Sequence, residues 1–216
     1  MKIKTLGMNL RVLVFLLNTL IVLPASAQEQ DGLLVNVNGD WEPAAFSNEQ
    51  LNKPGMLCIR YNNFWCVKGS DVDPWVGQAG LDKRKHAIFE NSAYGARAFF
   101  IIMRTYHHKH GLRTSRQIFS RYAPADDCIG SLPRIAATGK CPQGENPTLL
   151  YARRVAKMLN VGIDDDIGLF DNDGRADFDV AIELAKGVVQ FELGPRRLVT
   201  VELVRSGLNL AGIEVQ

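Results

Sequence analysis

The amino-acid sequence predicts a mainly α fold built around one long central helix. This helix is expected over 95–111, where a glycine stands at each end and no residue between them breaks a helix. Apolar side chains cover most of its circumference, which is typical of a helix surrounded by neighbours. Further helices are predicted at 114–122, 148–159 and 177–193, where apolar residues recur at helical spacing before a stop signal.

The segments around these helices have the composition of loops and short strands. Residues 28–56 are polar and contain glycine and proline, which predicts an N-terminal arm with one short strand at 33–37. Residues 57–82 are rich in aromatic rings and amides, so a small loop or β lobe is expected there. The helical domain is placed at 57–195, and residues 196–216 are expected to form a C-terminal extension, either a hairpin or a short tail.

Residues 1–27 have the features of a secretory signal peptide. Three basic residues and an apolar run at 12–23 precede an A-x-A cleavage site at 25–27. The run is shorter than the roughly 20 residues that span a bilayer, so cleavage is favoured over an uncleaved membrane anchor. Its removal would leave 189 residues with a net charge of −1, whereas the whole chain carries +2. This near-neutral charge predicts neither a nucleic-acid partner nor contact with a membrane after cleavage.

The four cysteines indicate two disulfide bonds and an oxidising compartment, either the periplasm or the exterior of the cell. Cys58, Cys66, Cys128 and Cys141 allow three pairings. The local pairing, Cys58–Cys66 with Cys128–Cys141, is favoured because both segments are short and loop-like. No CxxC pair and no Cys/His spacing supports a zinc site instead.

No metal or other cofactor is expected. His107, His108 and His110 are one and two residues apart on a helix, so they do not face one ion together. The aspartate-rich stretch after the third helix fails as an EF-hand, because Leu169 and Val180 stand where the loop needs oxygen ligands.

Short motifs in order along 57–194 resemble those of a family of short phage and bacterial proteins, whose shared pattern begins Ile-Arg-x-Asn-Asn-Pro-Gly-Asn. The matching segments are IRYNN (59–63), PWVGQAG (74–80), HAIFENSAYGARA (86–98), RYAP (121–124), GENPTLLYARRVAKMLNV (144–161) and VVQFELG (188–194). Members are met as phage virion proteins or as lysozyme-like proteins. The resemblance therefore implies a lysozyme-like single domain with a small loop or β lobe, and peptidoglycan as the substrate. Lysozyme-type folds place a sugar-binding lobe after the catalytic glutamate, so the order here looks circularly permuted.

The departures from this pattern support the local cysteine pairing. Cys58 and Cys66 both fall where the first motif differs from the family, and Cys128 and Cys141 both fall in a loop, 125–144, that the family lacks. Each predicted bridge therefore accompanies one local change in the chain.

Two glutamates are candidate catalytic residues. Glu192 ends the last motif between two apolar residues, where partial burial would raise its pKa and keep the proton that a leaving glycosidic oxygen needs. A solvent-facing glutamate at a helix end is the alternative. Glu145 is the second candidate, although a carboxylate just before the helix at 148–159 is also explained by the helix dipole.

Four residues are candidate sugar-binding residues, because aromatic rings stack on sugars and amides bind N-acetyl groups. They are Asn62, Asn63, Trp75 and Tyr151. For the asparagines the alternative is a turn, and for the two aromatic residues it is the core.

We therefore predict an exported enzyme that cleaves the glycan strand of peptidoglycan or another cell-wall glycan, either a muramidase or a lytic transglycosylase. Only Asp71, Asp73 and Asp82 are placed to provide a second carboxylate, which favours transglycosylase chemistry. The alternative is a non-catalytic cell-wall-binding or virion-like structural protein. A third reading is that the protein is a periplasmic partner of an envelope machine, with the inserted disulfide loop, 125–144, as the contact. No Ser/His/Asp or Cys/His nucleophile pattern supports a protease or an amidase.

Overall fold

The computed structural model describes residues 28–53 and 55–216, so the predicted signal peptide lies outside the described residues. Of these residues, 40% are helical and 18% lie in strands, which form two antiparallel sheets. The prediction of a mainly α, lysozyme-like, circularly permuted domain is therefore wrong, and the fold is mixed α and β. The strands are β1 (Gln28–Val37), β2 (Asp40–Phe46), β3 (Gln78–Leu81), β4 (Ala87–Phe89) and β5 (Arg197–Val199). The helices are α1 (Asn48–Leu51), α2 (Leu57–Arg60), α3 (Ser92–His110), α4 (Ser115–Tyr122), α5 (Thr148–Met158), α6 (Phe178–Leu193) and α7 (Val201–Leu210).

The larger sheet joins the two ends of the described chain. Its strand order is β2-β1-β5, with both pairs antiparallel. β1 and β2 form a hairpin because Asn38 and Gly39 both adopt positive φ, 54° and 110°, as a two-residue hairpin turn requires. Leu33 of β1 pairs with Val199 of β5. The segments predicted as an N-terminal arm and a C-terminal extension are thus neighbours in one sheet.

The smaller sheet is the β3–β4 hairpin, whose turn is organised by Asp82. One oxygen of its carboxyl group, Oδ1, accepts the backbone N–H groups of Arg84 at 2.7 Å and His86 at 2.9 Å. The hairpin leads directly into α3, which begins after the N-cap residue Asn91. The Asn91 side chain accepts N–H groups from the first helical turn, as N-cap residues do.

Helix α3 is the central helix that the sequence predicts. It ends at Gly111, which has a left-handed φ of 63°. Phe99, Phe100 and Met103 are buried on it, and α7 packs across it at close range. A Cβ atom on Gly207 of α7 would lie 2.5 Å from the Cβ atom of Ala96, so only glycine allows this approach.

Helices α4, α5 and α6 are joined by a stack of aromatic rings. The ring of Tyr151 on α5 lies between Phe119 of α4, at 4.3 Å, and Phe191 of α6, at 3.7 Å. Each of these helices lies close to its predicted bounds. Side-chain caps set the starts of two of them: Thr114 forms a capping box before α4, and Asp177 caps α6. The stack places the end of α6 beside Tyr151.

Both predicted disulfide bonds are confirmed. Cys58 pairs with Cys66 and Cys128 with Cys141, with Cα separations of 5.3 and 5.2 Å. The first bridge fixes a buried segment after α2, and the second closes the loop between α4 and α5. None of the described helices is long and apolar enough to cross a membrane.

Candidate functional site

A cleft of about 920 Å³ lies where several parts of the fold meet. Its walls come from the segment around the Cys58–Cys66 bridge, the β3–β4 hairpin, one side of α3, the end of α6, and the disulfide loop between α4 and α5 with the adjoining helix ends. Ile102 and Tyr106 of α3 face it and are only half-buried for that reason. A concave site of this size can hold a ligand of several sugar rings or a comparable small molecule.

Glu192, on the last turn of α6, is half-buried and lines this cleft. Burial raises the pKa of its carboxyl group to about 7, although the Tyr151 hydroxyl and the positive charge of Lys68 both act to lower it. Among the described residues, no cationic group lies within 4.0 Å of this carboxyl group. A substantial fraction of the molecules therefore carries the proton near neutral pH, which is suitable for a general acid.

Two tyrosines lie beside Glu192 at the C-terminal end of α6. Tyr151 is buried, and its hydroxyl faces the carboxyl group of Glu192, whose pKa it acts to lower through a hydrogen-bonding interaction. The Tyr122 hydroxyl donates to the backbone carbonyl of Trp65. Burial raises the pKa of both tyrosines well above its usual value, so they remain neutral and add no negative charge beside Glu192.

A connected group of polar side chains lies on another wall of the same cleft. The Lys68 ammonium donates to the Arg84 carbonyl at 2.7 Å and to Ser131 Oγ at 2.6 Å, and it lies 3.2 Å from His86 Nε2. Ser131 Oγ is 3.4 Å from the same Nε2 atom. On the other side of the ring, His86 Nδ1 lies 3.0 Å from Asp82 Oδ2. Lys68, His86 and Ser131 line the cleft, whereas Asp82 lies behind them.

The pKa shifts in this group follow from burial and from hydrogen bonds. Burial lowers the pKa of both Lys68 and His86. For His86 the positive charge of Lys68 lowers the pKa further, while the hydrogen bond with Asp82 acts to raise it. Burial acts to raise the pKa of Asp82, but the hydrogen bonds from His86 and the Arg84 amide outweigh it and hold the pKa below its usual value. The carboxylate is therefore ionised and the imidazole is neutral at neutral pH.

The charged groups that line the cleft are mostly basic. Lys53, Lys68, Arg84 and Arg121 contribute positive charge, against the carboxyl groups of Asp127 and Glu192. Because concave sites focus the field of their charges, the cleft attracts ligands that carry acidic groups.

Of the residues that the sequence singles out, Glu192 and Tyr151 line the cleft and Glu145 does not. Glu145 is exposed at the base of the disulfide loop, where it forms an ion pair with Arg134 at 3.2 Å. Trp75 also lies outside the cleft lining and donates its indole N–H to the Lys68 carbonyl at 2.8 Å. This hydrogen bond holds the backbone of Lys68 in place.

The two predicted sugar-binding asparagines hold the backbone instead. Buried Asn63 donates to the carbonyls of Val67 and Ala87 at 2.9 and 2.8 Å, and accepts from the Val67 amide at 2.8 Å. Asn62, which has a positive φ of 53°, donates to the Phe89 carbonyl at 3.1 Å. Neither side chain lines the cleft, so the structure corresponds to the turn alternative for both.

The Lys68, His86 and Ser131 group has no counterpart among the sequence-based candidates. Lys68 and Ser131 are 63 positions apart, and Ser131 lies in a loop of irregular sequence. The one available signal was the i,i+4 spacing of Asp82 and His86 across a short hairpin turn. That spacing alone does not identify a site.

Within the part of the chain that the structure describes, no three His, Cys, Asp or Glu residues are placed to hold a metal ion. The sequence matches no model of a known protein family, and it matches none of the curated proteins. The resemblance of its motifs to the phage and bacterial family therefore rests on those residues alone.

Proposed function

We propose that this protein is an exported enzyme that cleaves the glycan strand of peptidoglycan, with Glu192 as the general acid. The observation that carries the proposal is the position of Glu192 in a large cleft, where burial raises the pKa of its carboxyl group to about 7. A leaving glycosidic oxygen needs a proton from a group of this kind. The basic lining of the cleft suits peptidoglycan, because that polymer carries carboxyl groups. The two disulfide bonds suit an oxidising compartment such as the periplasm.

We further propose transglycosylase chemistry. Asp71 and Asp73 are exposed outside the cleft, and Asp82 is held by His86. Besides Glu192, Asp127 is the one described carboxylate that lines the cleft and could activate water. A transglycosylase needs only one carboxyl group. Glu192 would protonate the glycosidic oxygen as the bond to the anomeric carbon breaks, and its carboxylate would then take the proton from a substrate hydroxyl that attacks that carbon.

The proposal is tested with purified peptidoglycan and two isosteric variants. Glu192→Gln removes the acid and keeps the shape, so cleavage should fall by a factor of about 10² or more. Glu145→Gln is the matched control and should cleave like wild type, because Glu145 lies outside the cleft. Products with anhydro ends indicate a transglycosylase, and reducing ends indicate a hydrolase. Equal cleavage by wild type and Glu192→Gln would exclude Glu192, and binding without any cleavage would favour the non-catalytic alternative.

The same variant tests the raised pKa independently of activity. The folded pKa of about 7 exceeds the value of 4.5 for an unperturbed glutamate, so wild type loses stability as the pH rises from 4.5 through 7. Glutamine does not ionise, so Glu192→Gln should gain stability relative to wild type across this window, by up to about 3 kcal/mol. Denaturant unfolding at several pH values measures the difference. A difference that does not change with pH would mean that the carboxyl group is not held in its protonated form.

A further inference from the structure

The hydroxyl of Ser131 is held against the imidazole of His86 in the cleft, on residues that the glycan chemistry does not use. Ser131 Oγ lies 3.4 Å from His86 Nε2, and His86 Nδ1 lies 3.0 Å from Asp82 Oδ2. The side chains of His86 and Asp82 are only 10% and 7% exposed. A nucleophile beside a base, with the base oriented by a buried carboxylate, is the geometry of covalent acyl transfer.

The backbone around Ser131 presents this hydroxyl in a strained conformation. Gly130 and Ser131 have φ values of 66° and 52°, and a left-handed conformation is unfavourable for serine. Two contacts hold it: the Ser131 amide donates to the Cys128 carbonyl at 2.9 Å, and the Arg84 guanidinium donates to the Gly130 carbonyl at 2.9 Å. The disulfide bond at Cys128 fixes the start of the same loop.

Lys68 orients the hydroxyl proton. An ammonium group can only donate, so Ser131 Oγ must accept from the Lys68 ammonium at 2.6 Å. The hydroxyl keeps its own proton, and it can pass this proton to His86 Nε2 when the Lys68 ammonium, 3.2 Å from the same nitrogen, turns away from it. The Lys68 ammonium also stands next to the place where negative charge would develop if Oγ attacked a carbonyl carbon.

Asp82 and the hairpin fix the tautomer of His86. Asp82 Oδ1 is occupied by two backbone N–H groups, which leaves Oδ2 to accept from Nδ1. Nε2 then carries the lone pair, which faces the Lys68 ammonium at 3.2 Å and Ser131 Oγ at 3.4 Å. The charged groups around the ring are Asp82, Lys68 and Arg84. Burial and the positive charges of Lys68 and Arg84 outweigh the effect of Asp82 and keep the ring neutral at neutral pH, as a general base must be.

We infer that Ser131, His86 and Asp82 form a second active centre in the cleft, which hydrolyses a carboxylic ester on the bound ligand, with Lys68 stabilising the oxyanion. Ser131 is the nucleophile, His86 the general acid and base, and Asp82 a positioning residue. An ester fits because the glycan hydroxyls of the proposed ligand are the groups that carry such acyl substituents. This activity goes beyond glycan cleavage and does not require Glu192 to act.

The reaction balances with water as the only co-reactant. Ser131 Oγ bonds to the acyl carbon and gives its proton to His86 Nε2, and the tetrahedral oxyanion faces Lys68. The bond from the acyl carbon to the alcohol oxygen then breaks, and His86 returns the proton to that oxygen. A water molecule attacks the acyl-serine and gives a proton to His86, which passes it to Oγ as the carboxylic acid leaves.

The test is covalent labelling of the full mature protein with a fluorophosphonate probe, read by intact mass and peptide mapping. We expect one adduct, on Ser131, and hydrolysis of p-nitrophenyl acetate that the probe abolishes. Ser131→Ala should lose both, whereas the exposed helical control Ser120→Ala should behave like wild type. A folded wild-type protein that gives no adduct, or an adduct that persists in Ser131→Ala, would overturn the inference. Labelling needs no glycan, so the result is independent of the proposal for Glu192.

The Asp82→Asn variant distinguishes the role of Asp82 in orienting His86 from its role in holding the hairpin turn. Asparagine keeps Oδ1 for the two backbone N–H groups, so the hairpin should remain intact and the melting temperature nearly unchanged. The labelling rate should fall by about 10² or more, because the amide no longer stabilises the imidazolium. The midpoint of its pH profile should move to lower pH, because the carboxylate that raises the pKa of His86 is gone. An unchanged rate and midpoint would refute the role of Asp82.

Discussion

The two disulfide-bonded segments border the same cleft, but different interactions hold them in place. In the 58–66 segment Phe64 and Trp65 are fully buried, and the amide of Asn63 is satisfied by backbone groups. Between Cys128 and Cys141 the residues are exposed or half-buried, and polar contacts hold the loop. Because its large side chains are buried, the first segment is part of the core. The second segment is not, so substitutions in it can alter the shape of the cleft without disturbing the core.

The sharpest test of this comparison removes one large apolar side chain from each segment. Trp65 is fully buried, stacks on Phe99 at 5.3 Å and donates to the Ala185 carbonyl. Trp65→Ala should therefore reduce the free energy of unfolding by about 3–5 kcal/mol. Ile135 lies in the second loop with 45% of its surface exposed, and Ile135→Ala should change stability by less than about 0.5 kcal/mol. Similar losses in denaturant unfolding would contradict the distinction.

Opening each bridge gives the next largest effect. Closing a loop of this size contributes about 3 kcal/mol, whichever segment it joins. The double variants Cys58→Ala/Cys66→Ala and Cys128→Ala/Cys141→Ala should therefore lose similar stability. Amide hydrogen exchange should distinguish them: protection is lost across the core in the first variant and only within 126–146 in the second. Loss of core protection on opening Cys128–Cys141 would show that this loop is also part of the core.

The smallest effect concerns the contact between hairpin and loop. Arg84 donates to the Gly130 carbonyl at 2.9 Å and is partly exposed. Arg84→Met should change global stability by less than about 0.5 kcal/mol, but it should speed exchange of the Ser131 amide, because the turn loses its anchor. Lys83→Met, at the exposed neighbouring position, is the matched control and should leave that exchange rate unchanged. Equal rates in both variants would mean that the bridge alone fixes the turn.

Local signals in the sequence were sufficient for most of the helices and for the bridges. The glycine at the end of α3, the capping box at Thr114 and the glycine after α6 are short-range features whose physics does not depend on the rest of the fold. The larger sheet was missed although Asn38-Gly39 is a hairpin signal. The pairing of β1 with β5 depends on residues at opposite ends of the described chain, and no local pattern reveals such a contact.

The candidate site divides in the same way. Glu192 was found because its motif and its apolar neighbours lie beside it in sequence. Asn62 and Asn63 were expected to bind sugar, but a polar side chain near an aromatic ring can equally satisfy buried backbone groups, and both do so. The contact between Ser131 and His86 spans 45 positions, so only the folded chain brings this pair together.

The pairing of β1 with β5 also determines when the chain can complete its fold. The bridges close over separations of only 8 and 13 residues, so either can form soon after its cysteines reach an oxidising compartment. The sheet must wait for Val199, and the contact from Trp65 to Ala185 spans 120 residues. Distant contacts of this kind slow folding. An exported chain would thus be locally crosslinked early and would remain open along the edge of β1 until β5 is available, which gives chaperones and proteases an interval in which to act.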